Sequence, residues 1–190
     1  MTALQTWYTP ATGLYPTTGW WNSANAITVL ANYARVSGRK TYVPVLKNTF
    51  RQAQTEHAEF LNKFYDDEGW WALAWIDAYD LTGKKAYLAM SQATFEDMAG
   101  GWDSTVCGGG IWWSKDRQYN NAIAEQVRAA TAKLDDARRR DGSVSEASAR
   151  STVRRPPVDV VADPLHSGLH RRRKDRTRRK SLACRSKCST

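Results

Sequence analysis

Two adjacent carboxylates, Asp66 and Asp67, are followed within five residues by two tryptophans, Trp70 and Trp71. Carboxyl groups can protonate a glycosidic oxygen or attack an anomeric carbon, and indole rings stack on the C–H faces of a pyranose. The segment therefore indicates a sugar site. A simpler alternative is that one aspartate only caps a helix starting near Trp70. His57 is predicted to lie at the surface or rim, because no nucleophile is near it in sequence.

The elements that carry this segment are predicted to be helices. Apolar residues recur at helical spacing, and Gly and Pro mark the ends of the periodic stretches. Two predicted helices fall within each repeat of the sequence, which indicates stacked helical hairpins. The predicted helices run from about Trp20 to Ser37, from about Val43, from Trp70 to Leu81, from Lys85 to Ala99, and from Tyr119 to about Arg140.

An aromatic unit recurs along the chain at intervals of about 40 to 50 residues. Gly19-Trp20-Trp21 matches Gly69-Trp70-Trp71, and Gly110-Ile111-Trp112-Trp113 is a third copy. One hairpin cannot bury its apolar face alone, so stacked neighbours must cover it. We expect each unit to open a helix and the openings to gather at one end of the stack. Adjacent helix positions point about 100° apart, so one ring of each pair can be buried while the other faces a groove.

Charge and aromatic content divide the chain into two parts. Residues 1–126 contain every aromatic side chain and have a net charge of −2, whereas residues 127–190 have +11 and no aromatic residue. The second part has too few large apolar side chains to offset the entropy of ordering it. We therefore predict a folded domain over 1–126 and a basic, largely disordered tail over 127–190, helical only in its first part.

The basic tail offers an alternative function, nucleic-acid binding. Its segment Arg171–Lys180 could contact phosphates or act as a localisation signal. No aromatic residue is interleaved there to stack on bases, so a specific nucleic-acid partner is not expected. No run approaches the ~20 apolar residues of a membrane span. The sequence predicts no metal site and no cofactor.

The motifs Gly19–Asn25, Tyr65–Ala74 and Cys107–Trp113 follow one another in the first part of the chain. Together they resemble glycoside hydrolase family 76, the endo-acting α-1,6-mannanases with fungal relatives involved in cell-wall assembly. The resemblance covers about residues 1–125. It implies an all-α fold in which helical hairpins form an (α/α)6 toroid, with the sugar groove across one end.

The resemblance also implies roles for individual residues. Asp66 is implied as the nucleophile and Asp67 as the general acid/base of a retaining mechanism. Neighbouring carboxyl groups can reach the roughly 5–5.5 Å separation that such enzymes use, and a like charge among apolar walls raises the pKa of the acid. The implied sugar contacts are Trp21, Asn22, Trp70, Trp112, Trp113 and Tyr119.

The chain also departs from the family it resembles. Members have about six hairpins, but here the pattern stops after Ile123–Ala124 and an arginine-rich sequence follows. We expect a truncated, partial toroid with impaired stability and hydrolysis; a mannan-binding protein without turnover is the alternative. The resemblance implies an α-mannan substrate and a secreted or cell-wall location, although Met1–Trp7 lacks the features of a signal peptide. The oligomeric state stays open.

Overall fold

The computed structural model describes residues 1–106, 109–121 and 124–142. Most of these residues are helical, in agreement with the apolar periodicity. The predicted disordered tail beyond residue 142, including Arg171–Lys180, lies outside the described residues, as do 107–108 of the third motif. The helices are α1 (Thr2–Gln5), α2 (Trp20–Ser37), α3 (Val43–Gln52), α4 (Tyr65–Thr82), α5 (Lys85–Ala99) and α6 (Ala124–Asp141).

Glycines end two of the long helices where the sequence predicts. Gly38, with φ of 69°, and Gly83, with φ of 67°, adopt the left-handed conformation directly after α2 and α4. This conformation costs little in the absence of a Cβ atom. The Gly83 N–H donates to the Tyr79 carbonyl at 2.7 Å, which satisfies an otherwise orphaned helix-end acceptor. Pro44 lies in the first turn of α3, where its missing N–H is tolerated.

The helix that carries the acidic pair begins earlier than predicted. α4 starts at Tyr65 and not near Trp70, so Asp66 and Asp67 lie in its first turn. Its N-cap residue is Phe64, which has an extended backbone and contributes no capping side chain. The alternative that an aspartate caps this helix is therefore wrong. Negative charge in the first turn is favourable beside the positive end of the helix dipole.

The third aromatic unit forms a strand instead of opening a helix. Its residues pair on both sides, Ile111 with Trp102 and with Asn121, and the all-α prediction missed this small sheet. Tyr119 accordingly precedes a strand and not a helix. The antiparallel sheet has the order β1 (Trp102–Asp103), β2 (Gly110–Trp112) and β3 (Asn120–Asn121).

Helix α4 lies at the centre of the molecule. It packs against α2, α5 and α6, and its residues Trp71, Trp75 and Ile76 are fully buried. The Trp75 ring lies 4.9 Å from the Phe60 ring and 5.4 Å from the Tyr87 ring, measured between centroids. Close-packed aromatic rings resist displacement. This aromatic core therefore holds the helix whose first turn bears the carboxylates.

Helix α6 extends the packed region beyond the predicted domain boundary at residue 126, which falls within this helix. Ala130 and Leu134 are buried, and α6 packs on α4 and α5. Lys133 Nζ lies 2.6 Å from Asp77 Oδ1 on α4. The folded part of the chain therefore continues through α6. Of the helices in the described ranges, none has the length and apolar character needed to cross a membrane.

Candidate active site

Asp66 is held by an indole N–H from a distant part of the chain. Its side chain is half-buried in the first turn of α4, and Trp113 Nε1 donates to Asp66 Oδ2 at 3.1 Å. Burial raises the pKa of Asp66, while the Trp113 hydrogen bond acts against this shift by favouring the charged form. Asp66 is thus oriented by a fixed donor and binds its proton more tightly than a free aspartate.

Asp67 is held by a different donor. Asn62 Nδ2 donates to Asp67 Oδ2 at 2.6 Å, and the Phe64 N–H, which donates to Asn62 Oδ1 at 2.7 Å, fixes the orientation of that amide. Asp67 is only 8% exposed, and this burial is the main cause that raises its pKa. The Asn62 hydrogen bond lowers the pKa, the charge of Asp66 raises it, and the charge of His57 lowers it. The net result is an aspartate that retains its proton above the ordinary range.

Asn62 and His57 both influence the pKa of Asp67, which the sequence does not indicate. His57 is half-buried, and its ring lies 4.5 Å from that of Trp20 in edge contact. Its electrostatic interaction with Asp67 lowers the pKa of that carboxyl group. Sequence reasoning missed Asn62 altogether. An asparagine two residues before a helix N-cap is a signal for a side-chain turn of this kind, but it is recognisable only when the N-cap is placed correctly.

The segment that supplies Trp113 is joined to the start of α4 by backbone hydrogen bonds. The Tyr65 N–H donates to the Trp113 carbonyl at 3.0 Å, and the Lys115 N–H donates to the Lys63 carbonyl at 3.0 Å. The residues between them form an antiparallel bridge. The position of the Trp113 ring is therefore coupled to the first turn of α4.

A third carboxyl group, Glu68, is fully buried beside the pair. Its Oε1 lies 3.0 Å from Lys115 Nζ and accepts the Asn62 N–H at 3.2 Å. Lys115 Nζ also lies 2.8 Å from Asp97 Oδ2, so one ammonium group bridges the two carboxyl groups. Burial raises the pKa of Glu68 to about 8, and the nearby Asp97 acts in the same direction, so Glu68 keeps its proton at neutral pH.

No sequence pattern indicates this group of three side chains. Glu68 is in the first turn of α4, Asp97 is near the end of α5, and Lys115 follows β2. Only the packing of these elements brings the side chains together. Lys115 in particular appears in the sequence as an ordinary surface lysine.

The tryptophan pairs each separate into a more buried and a more exposed ring, in agreement with their helical and strand geometry. Trp71 and Trp112 are 0% and 4% exposed, whereas Trp21 and Trp113 are 42% and 39% exposed. The Trp21 ring stacks on the Trp70 ring with 6.2 Å between centroids. Exposed indole faces at the same end of the molecule as the carboxylates suit stacking on a sugar ring.

The structure departs from the predicted sugar contact at Trp112. Its ring is buried and its Nε1 donates to Asp103 Oδ2 at 3.2 Å, so it offers no free face to a ligand. Tyr119 is exposed, and its ring centroid lies 6.5 Å from that of Trp113. Asn22 donates its side-chain amide to a backbone carbonyl one turn earlier at 2.5 Å. Asn22 also lines a depression of about 320 Å³ beside α2 that neither aspartate lines.

The arrangement can present one protonated and one ionised carboxyl group at the same time. Both aspartates have raised pKa values, and each has its own N–H donor. Acid-assisted substitution at a sugar carbon requires such a pair. In the ranges that the structure covers, no group of three or more His, Cys, Asp or Glu side chains is placed to hold a metal ion.

Sequence comparison decides the family. The model of glycosyl hydrolase family 76 matches residues 1–145. The chain belongs to this family. The match extends past the predicted limit near residue 125 and includes the whole of α6, in agreement with the packing of that helix.

The curated family 76 relatives are much longer than this chain. A putative mannan endo-1,6-alpha-mannosidase of Schizosaccharomyces pombe is 24% identical over an alignment of 142 residues, and the match covers 64% of this chain and 32% of the relative. Mannan endo-1,6-alpha-mannosidase DFG5 of Saccharomyces cerevisiae is 36% identical over an alignment of 70 residues, and the match covers 31% of this chain and 15% of the relative. The matches therefore span about a third of these relatives or less.

Solved family 76 structures share the fold. The α-1,6-mannanase GH76A of Salegentibacter sp. HEL1_6 matches with a TM-score of 0.63 at 24% identity, over 71% of this chain and 43% of that one. An inactive variant of that enzyme, with two adjacent aspartates replaced by alanine, was solved with α-1,6-mannotetrose. It matches with a TM-score of 0.63 at 20% identity, over 75% of this chain and 44% of that one.

Proposed function

We propose that this chain catalyses the endo-acting, retaining hydrolysis of α-1,6-mannan, with Asp66 and Asp67 as the catalytic pair. The observation that carries the proposal is the pair itself, two adjacent carboxyl groups with raised pKa values, each held by its own N–H donor. The related mannanase that was solved with α-1,6-mannotetrose carries substitutions at two adjacent aspartates, and this supports the same role for the pair here.

In the proposed mechanism Asp66 attacks the anomeric carbon while Asp67 protonates the departing glycosidic oxygen. The covalent glycosyl–Asp66 ester is then hydrolysed by a water molecule that gives its proton back to Asp67. The Trp113 N–H favours the ionised form of Asp66, and the charge of Asp66 raises the pKa of Asp67. These two effects support Asp66 as the nucleophile and Asp67 as the acid.

The exposed aromatic rings supply the surface on which the sugar would bind. Trp21 stacks on Trp70, and Tyr119 lies beside Trp113, whose indole also holds Asp66. Stacking of pyranose rings on these faces would orient the scissile bond relative to the carboxylates. An α-mannan polysaccharide is therefore the proposed substrate, and a secreted or cell-wall location follows from the same proposal.

The helices are proposed to form part of an (α/α)6 toroid. The chain matches 43% to 44% of the solved mannanase chains, which supports a part of that fold. Turnover weaker than that of a full-length mannanase remains a prediction.

Hydrolysis of α-1,6-mannan oligosaccharides by the purified chain tests the proposal. We expect the α-anomer as first product by NMR, and a loss of about 10²- to 10⁴-fold in kcat/KM for Asp67→Asn. Asp66→Asn should lose activity at least as severely, because it removes the nucleophile. Asp80→Asn is the control, since Asp80 lies near the other end of α4 and pairs with Arg140. A β-anomer as first product, or full activity of Asp67→Asn, would contradict the mechanism.

Carbohydrate binding without turnover is the second candidate, and the exposure of Trp21 and Trp113 favours it. The same preparation separates the two functions when binding is measured by calorimetry. Equal binding of α-1,6-mannotetraose by wild type and Asp66→Ala, with hydrolysis by neither, would support a binding protein.

A further inference from the structure

Lys115 connects three elements that the sequence keeps far apart. Its ammonium lies 3.0 Å from Glu68 on α4 and 2.8 Å from Asp97 on α5, while its own backbone N–H donates to Lys63. The Glu68 side chain is 0% exposed, and that of Lys115 is 37% exposed. We call Lys115, Glu68 and Asp97 the Lys115 clamp.

The charges of the Lys115 clamp balance at neutral pH. Burial keeps Glu68 protonated, which leaves this buried side chain without charge. Burial alone would raise the pKa of Asp97, but the neighbouring Lys115 and Glu68 side chains outweigh it and lower that pKa. The clamp thus contains one positive and one negative charge, each with short partners. Two short charge-assisted contacts from one ammonium group hold α4 and α5 at a fixed distance from the Lys115 segment.

The clamp is two residues from the indole that holds Asp66. Trp113 is fixed to α4 through the Tyr65 N–H on one side of the bridge, and Lys115 is fixed through Lys63 on the other. The Trp113 ring is 39% exposed and packs on the ring of Phe64, the residue before α4, with 4.7 Å between centroids. The direction of its N–H therefore depends on how the Trp113 backbone is anchored to the start of α4.

We propose that Lys115 is a positioning residue for the reaction, and that its clamp on Glu68 and Asp97 fixes the Trp113 indole against Asp66. The role of Asp66 in this inference rests on the proposed function. Lys115 itself contacts neither aspartate of the catalytic pair in the hydrogen bonds and ion pairs of the described residues. It acts through the segment that it anchors.

The test compares Lys115→Met with Lys115→Arg and Lys63→Met in the full chain. Lys63 is a matched control because it pairs with Asp116 of the same segment at 2.5 Å, but with both side chains about half exposed. We expect Lys115→Met to raise hydrogen–deuterium exchange in peptides covering 60–68 and 109–121. We expect Lys63→Met to leave exchange unchanged and Lys115→Arg to restore most of the protection, since it keeps the charge and the donors.

The kinetic result distinguishes positioning from substrate binding. Displacement of a catalytic group by about 1 Å can cost about 100-fold in rate, so we expect Lys115→Met to lower kcat by about 10- to 100-fold. KM should change less than kcat, because the stacked Trp21 and Trp70 rings lie outside the segment that the clamp anchors. Asp97→Asn, which removes one arm of the clamp, should show a smaller loss of the same kind. If circular dichroism shows that Lys115→Met is unfolded, Asp97→Asn provides the same test.

The two proposals fail in different ways. Unchanged exchange in both Lys115→Met and Asp97→Asn overturns the clamp, whatever the turnover of the wild type. A rise in KM with unchanged kcat also overturns it, since Lys115 would then act on substrate binding. Absence of hydrolysis by the wild type overturns the proposed function, and raised exchange confined to Lys115→Met and Asp97→Asn would still support the clamp as the anchor of Trp113.

Discussion

Replacement of Glu68 by glutamine tests the protonation state of the buried carboxyl group beside the catalytic pair. A glutamine keeps the acceptor that faces Lys115 and Asn62, and it carries no charge, like the protonated Glu68. At pH 5 the variant should therefore be about as stable as the wild type. Its stability should exceed that of the wild type as the pH rises.

The size of the effect follows from the pKa of Glu68, which burial raises from 4.5 to about 8 in the folded state. Because the folded protein holds this proton more tightly than the unfolded chain, stability falls as pH rises between these values. Each pKa unit is worth 1.36 kcal/mol. The buried Glu68 carboxyl group lowers the free energy of unfolding of the wild type by about 1 kcal/mol at pH 5 and by about 5 kcal/mol above pH 8. Relative to Glu68→Gln, the wild type should lose about 4 kcal/mol across this range.

Urea unfolding followed by tryptophan fluorescence at pH 5, 7 and 8.5 measures the difference. Asp66 and Asp67 also have raised pKa values. They change the free energy of unfolding with pH by the same amount in both proteins, so their contribution cancels in the comparison. Glu96→Gln is the control, because the Glu96 side chain is 71% exposed, and its change should stay within about 0.5 kcal/mol. A difference that does not vary with pH would refute the reasoning. A variant several kcal/mol less stable at pH 7 would show instead that Glu68 is ionised and stabilised by Lys115.

Asn62→Asp places a carboxylate where an amide now donates to Asp67 at 2.6 Å. The pKa of Asp67 should rise, so the basic limb of kcat/KM should move up by about one pH unit or more; Asn48→Asp, on α3, should not move it. Gly101→Ala would place a Cβ atom 2.7 Å from the ring of Tyr65. We expect a loss of about 1–3 kcal/mol in the free energy of unfolding by urea, and an unchanged midpoint would mean that the ring moves freely.

Helix ends are readable in this sequence where the chemistry that sets them is local. The bounds of α5, Lys85–Ala99, agree with the prediction, and Gly38 and Gly83 end α2 and α4 as expected. The start of α4 was missed because its cap is not a polar side chain at the N-cap position. Asn62 closes the turn from two residues further upstream, a local contact that the sequence reveals only once the N-cap is placed at Phe64.

The third aromatic unit shows why similar motifs can form different elements. Gly110-Ile111-Trp112-Trp113 looks like the two helical units in sequence, but it is a strand because Trp102 and Asn121 pair with Ile111. Strand pairing depends on residues about ten positions away on either side, whereas helix hydrogen bonds stay within four. Local periodicity therefore could not separate the two.

The sequence by itself determined the acidic pair, the aromatic residues around it and the helical hairpins that carry them, because these features depend on composition and on near neighbours. Only the tertiary structure decided how the pair is held. Trp113 reaches Asp66 across 47 residues, and Lys115 meets Glu68 and Asp97 from a separate element. The pKa of a carboxyl group depends on burial and on the donors around it. Burial and the positions of the donors are set by the packing of the folded chain, so they cannot be read from the order of the residues.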